Sequence, residues 1–85
     1  MSLRYSYSIS ANVVSHLTTL RARQRDELLR IFDTLADNPF VKGDRIQHDD
    51  CGRPMQVKRY RRWEVTFWLD HLACEVRVVN LSHLH

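Results

Sequence analysis

The hydrophobic period of this chain changes twice, and that double switch limits the folds open to it. Tyr5, Tyr7 and Ile9 alternate with Ser6 and Ser8, the two-residue repeat of a half-buried strand. At Ser10, whose hydroxyl suits a helix N-cap, the rhythm becomes helical. Val13, Leu17 and Leu20 recur on one side, and Leu28, Ile31, Phe32 and Leu35 continue the pattern, so residues 11–37 are expected to form two helices or one bent helix. Asp37-Asn38-Pro39 ends it, because proline disfavours helical backbone in the residue before it and cannot donate to the ladder. Val41 to Arg53 holds Gly43, Asp44, Asp49, Asp50 and Gly52 around a single strongly apolar Ile46, and reads as a loop crossing the surface. After it the period of two returns in Met55–Lys58, Trp63–Leu69 and Glu75–Leu81, with turns around 60–62 and 70–73.

One strand, a helical pair and three consecutive strands specify an α+β fold, a single domain over residues 1–85 with an N-terminal strand, a helical hairpin and a three-stranded antiparallel meander. In the middle strand Val65, Phe67 and Leu69 point one way, and Glu64, Thr66 and Trp68 the other. The helices should cover the first face and leave the second as a candidate ligand surface. Arg21, Arg23, Arg25, Asp26, Glu27 and Arg30 read as a solvated helix surface. An apolar fraction of 44% with 27% charged residues excludes wholesale disorder. No apolar run approaches the roughly 20 residues of a membrane span, and Met1–Ser10 lacks a signal-peptide core, so a cytoplasmic protein without membrane contact is expected.

Charge distribution says more than the net charge of +3. Between Arg53 and Arg62 lie Arg53, Lys58, Arg59, Arg61 and Arg62 with no acidic residue, and Tyr60 and Trp63 stand within or beside the run. Guanidinium and ammonium groups hold phosphates, and aromatic rings stack on unpaired bases, so Lys58, Arg59, Tyr60, Arg61 and Arg62 are candidate RNA-binding residues. The competing reading is a hairpin tip that keeps a sheet edge soluble or meets an acidic protein. Arg77 and His83 have equal parity and are expected on one side of the last strand. There a histidine could move the proton of a 2′-hydroxyl or of a leaving oxygen, and an arginine could neutralise the phosphate. His48, Asp49, Asp50 and Cys51 are crowded like a turn rather than spaced like metal ligands. His16, His48, His71, His83 and His85 are scattered, and Cys51 and Cys74 read as reduced, incidental thiols. Without ligand spacing no metal is expected, and no cofactor either; a Gly-rich phosphate loop and a nucleophile elbow are likewise absent from the sequence.

The order of elements and several phrases resemble the RelE/ParE toxin superfamily over nearly the whole chain. The resemblance rests on Tyr5-Ser6-Tyr7-Ser8-Ile9, on Leu35-Ala36-Asp37-Asn38-Pro39-Phe40 and on the basic run. It continues in Arg62-Trp63-Glu64-Val65-Thr66-Phe67 and in Val76-Arg77-Val78-Val79-Asn80-Leu81-Ser82-His83, where the setting of His83 is similar to the Asp-Tyr-His ending of HigB-like members. The resemblance implies the toxin of a type II toxin–antitoxin system, neutralised by a cognate antitoxin. It implies either a ribosome-dependent messenger-RNA endonuclease that inhibits translation or a ParE-like toxin that binds DNA gyrase without chemistry of its own. An inactive relative that only binds an antitoxin is the third reading. Catalytic roles would fall to Arg77 and His83. Glu64 and Leu84 stand where the family carries arginines, and a carboxylate at position 64 would repel RNA unless an arginine paired with it.

Overall fold

A computed structural model describes residues 4–84, so His85 lies outside the described residues. Strand β1 (Ser6–Ile9) leads into α1 (Ala11–Thr18), then α2 (Ala22–Asp37), and four strands follow: β2 (Arg45–His48), β3 (Pro54–Tyr60), β4 (Trp63–Asp70) and β5 (Glu75–His83). They form one sheet in the order β1-β5-β4-β3-β2, with β1 parallel to β5 and every other pair antiparallel. Among the described residues, no helix is long and apolar enough to cross a membrane.

Local chemistry sets the helix ends. The Ser10 hydroxyl accepts a hydrogen bond from the Val13 amide at 3.3 Å, which satisfies one orphan donor of α1. At the start of α2 the Gln24 side chain accepts from the Arg21 amide at 3.4 Å. Asn38 terminates α2 with non-helical backbone, immediately before Pro39.

The two helices cover one face of the sheet. Val13 and Leu17 of α1 and Leu28, Phe32 and Leu35 of α2 meet Trp63, Val65, Phe67, Val76, Val78 and Leu81 in one buried cluster. Each large side chain removed from water there stabilises the fold by about 1.5–3 kcal/mol. Tyr7 adds a tilted ring contact to Phe32 at 5.5 Å between centroids. The opposite face has an apolar floor of its own, Met55 and Val57 beside the buried Thr66.

Residues 45–48, expected within a surface loop, are a strand. Arg45 pairs with Val57 and His48 with Pro54, and all four residues of β2 are exposed. An edge strand with neither face covered has no reason to alternate, so only Ile46 hinted at it. Its entry depends on Gly43, where a Cβ would lie 2.7 Å from the Val57 carbonyl oxygen. The Asp44 amide then donates to that same oxygen at 2.8 Å. Asp49, expected in a turn, organises one: its carboxylate accepts from the Cys51 and Arg53 amides at 2.9 and 2.8 Å, with Gly52 at φ +82°.

The register of β5 contains a β-bulge. Val78 pairs with Phe67 and Asn80 with Thr66, so Val79 has no partner on β4. The extra residue lets both Val78 and Leu81 face the helices. The freed Val79 carbonyl accepts from the Ser10 hydroxyl at 3.1 Å, tying the start of α1 to the sheet. It also reverses the parity argument for Arg77 and His83. Arg77 sits opposite Trp68 on the uncovered face, whereas His83 sits opposite Trp63 on the helix face, so the two do not share a side.

Candidate nucleic-acid interface

Alternation along β3 splits the basic run. Lys58 pairs with Val65 and Tyr60 with Trp63, both on the helix face, while Arg59 pairs with Glu64 on the uncovered face. Arg61 and Arg62 form the turn, with Arg61 at φ 55°, a left-handed conformation uncommon for a residue with a Cβ. The Arg59 Nε holds that turn by donating to the Arg61 carbonyl at 3.1 Å. Arg53 precedes β3 and stacks over Trp68 at 4.0 Å. An open cluster of these cations on the side of the sheet away from the helices, the arrangement expected of them, therefore does not form.

The uncovered face is instead closed by ion pairs. Arg45 of β2 meets Glu64 at 2.7 Å. That hydrogen bond, followed by the nearby Arg45 and Arg59 charges, holds the Glu64 carboxyl below the usual carboxylate range. The arginine needed to neutralise position 64 thus comes from the strand expected as a surface loop. Arg77 is bound twice by Asp70, Nε at 3.0 Å and Nη2 at 2.9 Å, and also meets Glu75 at 3.3 Å. Asp70 is held below its ordinary value first by the Ala73 amide and next by Arg77. Pairs this exposed contribute little stability, but they occupy the guanidinium groups.

Other cations converge where the strands did not suggest it. Between α2 and the β3–β4 turn lie three depressions of about 740, 550 and 340 Å³, all lined by both Glu27 and Arg61. The first adds Arg23, Asp26 and Arg30. The second adds Lys58, Arg59 and Tyr60, and the third Gln24, Arg62, Trp63 and His83. The groove thereby gathers Lys58, Arg59, Tyr60, Arg61, Arg62 and His83 from the sequence expectation and leaves Arg77 on the other side of the sheet. Among the described residues, Arg23, Arg30, Lys58, Arg61 and Arg62 make no ion pair within 4.0 Å, in contrast to Arg45 and Arg77.

Packing fixes the groove's inner wall. The Lys58 ammonium lies 5.6 Å from the Tyr60 ring, and burial, with Asp44 second, raises the Tyr60 phenol above its ordinary value. The His83 ring rests on Trp63 at 4.6 Å between centroids. The Leu84 amide donates to the Arg62 carbonyl at 2.6 Å, which brings the end of β5 to the cationic turn. The first turn of α2 carries no acidic residue, so the positive end of its dipole is not neutralised locally.

Arg23, Gln24, Glu27 and Arg30 are the residues that sequence reasoning missed, having placed the charged ones on a solvated surface. Their spacing of three and four does put Arg23, Glu27 and Arg30 on one helical stripe. Nothing in that stripe says that the β3–β4 turn lies against it.

No protein-family model matches the sequence, and no curated protein does. A solved structure does match: the chain superimposes on one from the toxin–antitoxin complex RelBE2 of Mycobacterium tuberculosis with a TM-score of 0.78, over 95% of this chain and 99% of that one. The fold is RelE-like. The two sequences are 13% identical, so what the RelE-like scaffold shares with that neighbour is the course of its backbone. The superposition takes in 95% of this chain, and the groove is read from this chain's own side chains.

Proposed function

We propose that the protein is the toxin of a toxin–antitoxin pair, held inactive by a small antitoxin protein, and that it acts on messenger RNA at the ribosome as an endonuclease that stops translation. The observation that carries this reading is the groove between α2 and the β3–β4 turn, where Arg23, Arg30, Lys58, Arg61 and Arg62, none of them in an ion pair among the described residues, surround an aromatic wall. Lys58, Arg61 and Arg62 would hold phosphates, Arg23 and Arg30 would extend the track along α2, and Tyr60 offers a ring edge to a base. His83 would exchange a proton with the sugar or the leaving oxygen. Arg77 is better suited to brace the β4–β5 connection through Asp70 and Glu75.

Inducible expression should arrest growth and fragment transcripts, and Arg61→Gln with Arg62→Gln should abolish both. Co-expression of a short reading frame encoded beside this one should restore growth. Growth arrest with intact transcripts and inhibited DNA gyrase would replace the nuclease by a non-catalytic gyrase-binding toxin. Growth unaffected under all conditions would leave a relative that only pairs with its partner.

A further inference from the structure

The helix layer stops short of one edge of the sheet. Helix α1 packs on β5 and α2 on β1 and β5, while at the far edge Ile46 of β2, which the register sets beside Gln56 on the helix side, is 58% exposed. Residues 39–42, just after α2, frame a cleft of about 560 Å³ with the start of β3 and the end of β4. Pro39, Phe40 and Pro54 give it an apolar lining, and its charged or titratable lining groups are Lys42, Arg53 and His71, with no carboxylate among them. Phe40 is 67% exposed yet fixed in place. Its ring makes an edge contact with Tyr5 at 5.6 Å and lies nearly parallel to His71 at 6.1 Å between centroids, and the Tyr5 hydroxyl sits 3.0 Å from the His71 Nδ1. Arg53 is set by stacking over Trp68 at 4.0 Å, and neither Lys42 nor Arg53 makes an ion pair among the described residues.

An exposed aromatic ring that is already ordered loses little entropy on binding, so it can serve as an anchor. Large apolar groups left in water beside unpaired cations fit an apolar side chain flanked by carboxylates. Resting on the toxin–antitoxin reading above, we propose that the antitoxin is held in this cleft by an acidic segment, whose apolar side chains settle on Phe40 and Pro54 and whose carboxylates meet Lys42 and Arg53. The apolar lining suits a protein occupant better than a ribose–phosphate chain, which would leave it unmatched. Pro54 and Tyr60 are the two ends of β3, and six steps of about 3.3 Å put the cleft about 20 Å along that strand from the groove. The grip of the antitoxin and the RNA-binding groove are thus separate surfaces, and a substitution in the cleft frees the toxin from its partner without touching its action.

The test uses the full chain and the purified product of the short reading frame encoded beside it, with affinity measured by isothermal titration calorimetry and toxicity by induced expression. Phe40→Ala and Lys42→Glu should each weaken binding at least about 10-fold, arrest growth like the parent when expressed alone, and resist neutralisation on co-expression. Lys42 is exposed and unpaired, so its variant keeps the fold even if Phe40→Ala does not. An affinity of Lys42→Glu within about 2-fold of the parent would overturn the proposal. So would a loss of affinity in Arg61→Gln with both cleft variants unaffected, which places the partner in the groove. Binding of an oligouridylate that falls with Lys42→Glu would make the cleft an RNA surface and overturn it as well. If the neighbouring product binds the parent in a cleft-dependent way but the parent does not arrest growth, the toxin reading fails and the docking stands; if that product neither binds nor neutralises the parent, both fail.

Discussion

Arg61→Gln and Arg77→Gln remove the same charge from two faces of one sheet, and the structure expects them to behave differently. Arg59 is engaged by the Arg61 carbonyl. Among the described residues the other five cations of the groove make neither an ion pair nor a side-chain hydrogen bond, so a single-stranded RNA that met those five would lose affinity with salt at a logarithmic slope of about −0.7 per contact, or about −3.5 in total. Between 50 and 200 mM salt, chosen for the assay, that slope amounts to a loss of about 130-fold. Arg61→Gln should lower the slope to about −2.8 and the loss to about 50-fold. Arg77, bound by Asp70 and Glu75, has no charge to release into an RNA complex, and its replacement should leave the slope unchanged. Fluorescence anisotropy of a labelled, non-cleavable oligoribonucleotide across a potassium chloride series measures both values. If Arg77→Gln flattened the dependence while Arg61→Gln did not, RNA would bind the face away from the helices, and the placement of the interface would be wrong.

Phe32 is fully buried and touches Tyr7, so Phe32→Ala should cost about 3–5 kcal/mol out of the roughly 4–13 expected for a domain of this length, read as a lower urea midpoint; a shift worth under about 1 kcal/mol would show that α2 is not fastened there. Gly43→Ala drives a Cβ against the Val57 carbonyl and should release β2, seen as faster amide exchange at residues 45–48 with β4 and β5 still protected; unchanged exchange would mean that the edge can give way to a methyl. The folded pKa values of Glu64 and Asp70 lie below their unfolded ones, so their contribution to stability is complete above the unfolded carboxylate range near pH 4 and disappears as pH falls through the folded values. Arg45→Gln should shrink the acid-side loss measured by thermal melts between pH 5 and pH 2, and an identical pH curve would show that the Arg45–Glu64 pair does not form in solution.

The architecture was legible where burial imposed a period. Val65 and Phe67 alternate because one face of β4 meets the helices, and Leu28, Ile31, Phe32 and Leu35 recur because one stripe of α2 meets the sheet. β2 was not legible, since no constraint acts on the side chains of an exposed edge. The bulge was not legible either: Val78-Val79 reads as an uninterrupted apolar pair, and only the β4 register shows which of the two is extra. That single residue separates Arg77 from His83. The candidate site was half visible, because Lys58, Tyr60, Arg61, Arg62 and His83 stand out by composition, whereas Arg23, Glu27 and Arg30 acquire meaning only when α2 is laid beside the turn.

Strand β5 has a neighbour on each side, β1 along one edge and β4 along the other, and Ser10 reaches Val79, 69 positions further along the chain. Such a closure is entropically expensive early in folding and slows the search for the native state. It also makes the sheet all-or-none: a polypeptide interrupted anywhere before Glu75 would leave β1 without its partner β5 and expose the apolar sides of both helices. Incomplete chains would thus be ready substrates for proteolysis, which confines the folded state to molecules that have made this last connection.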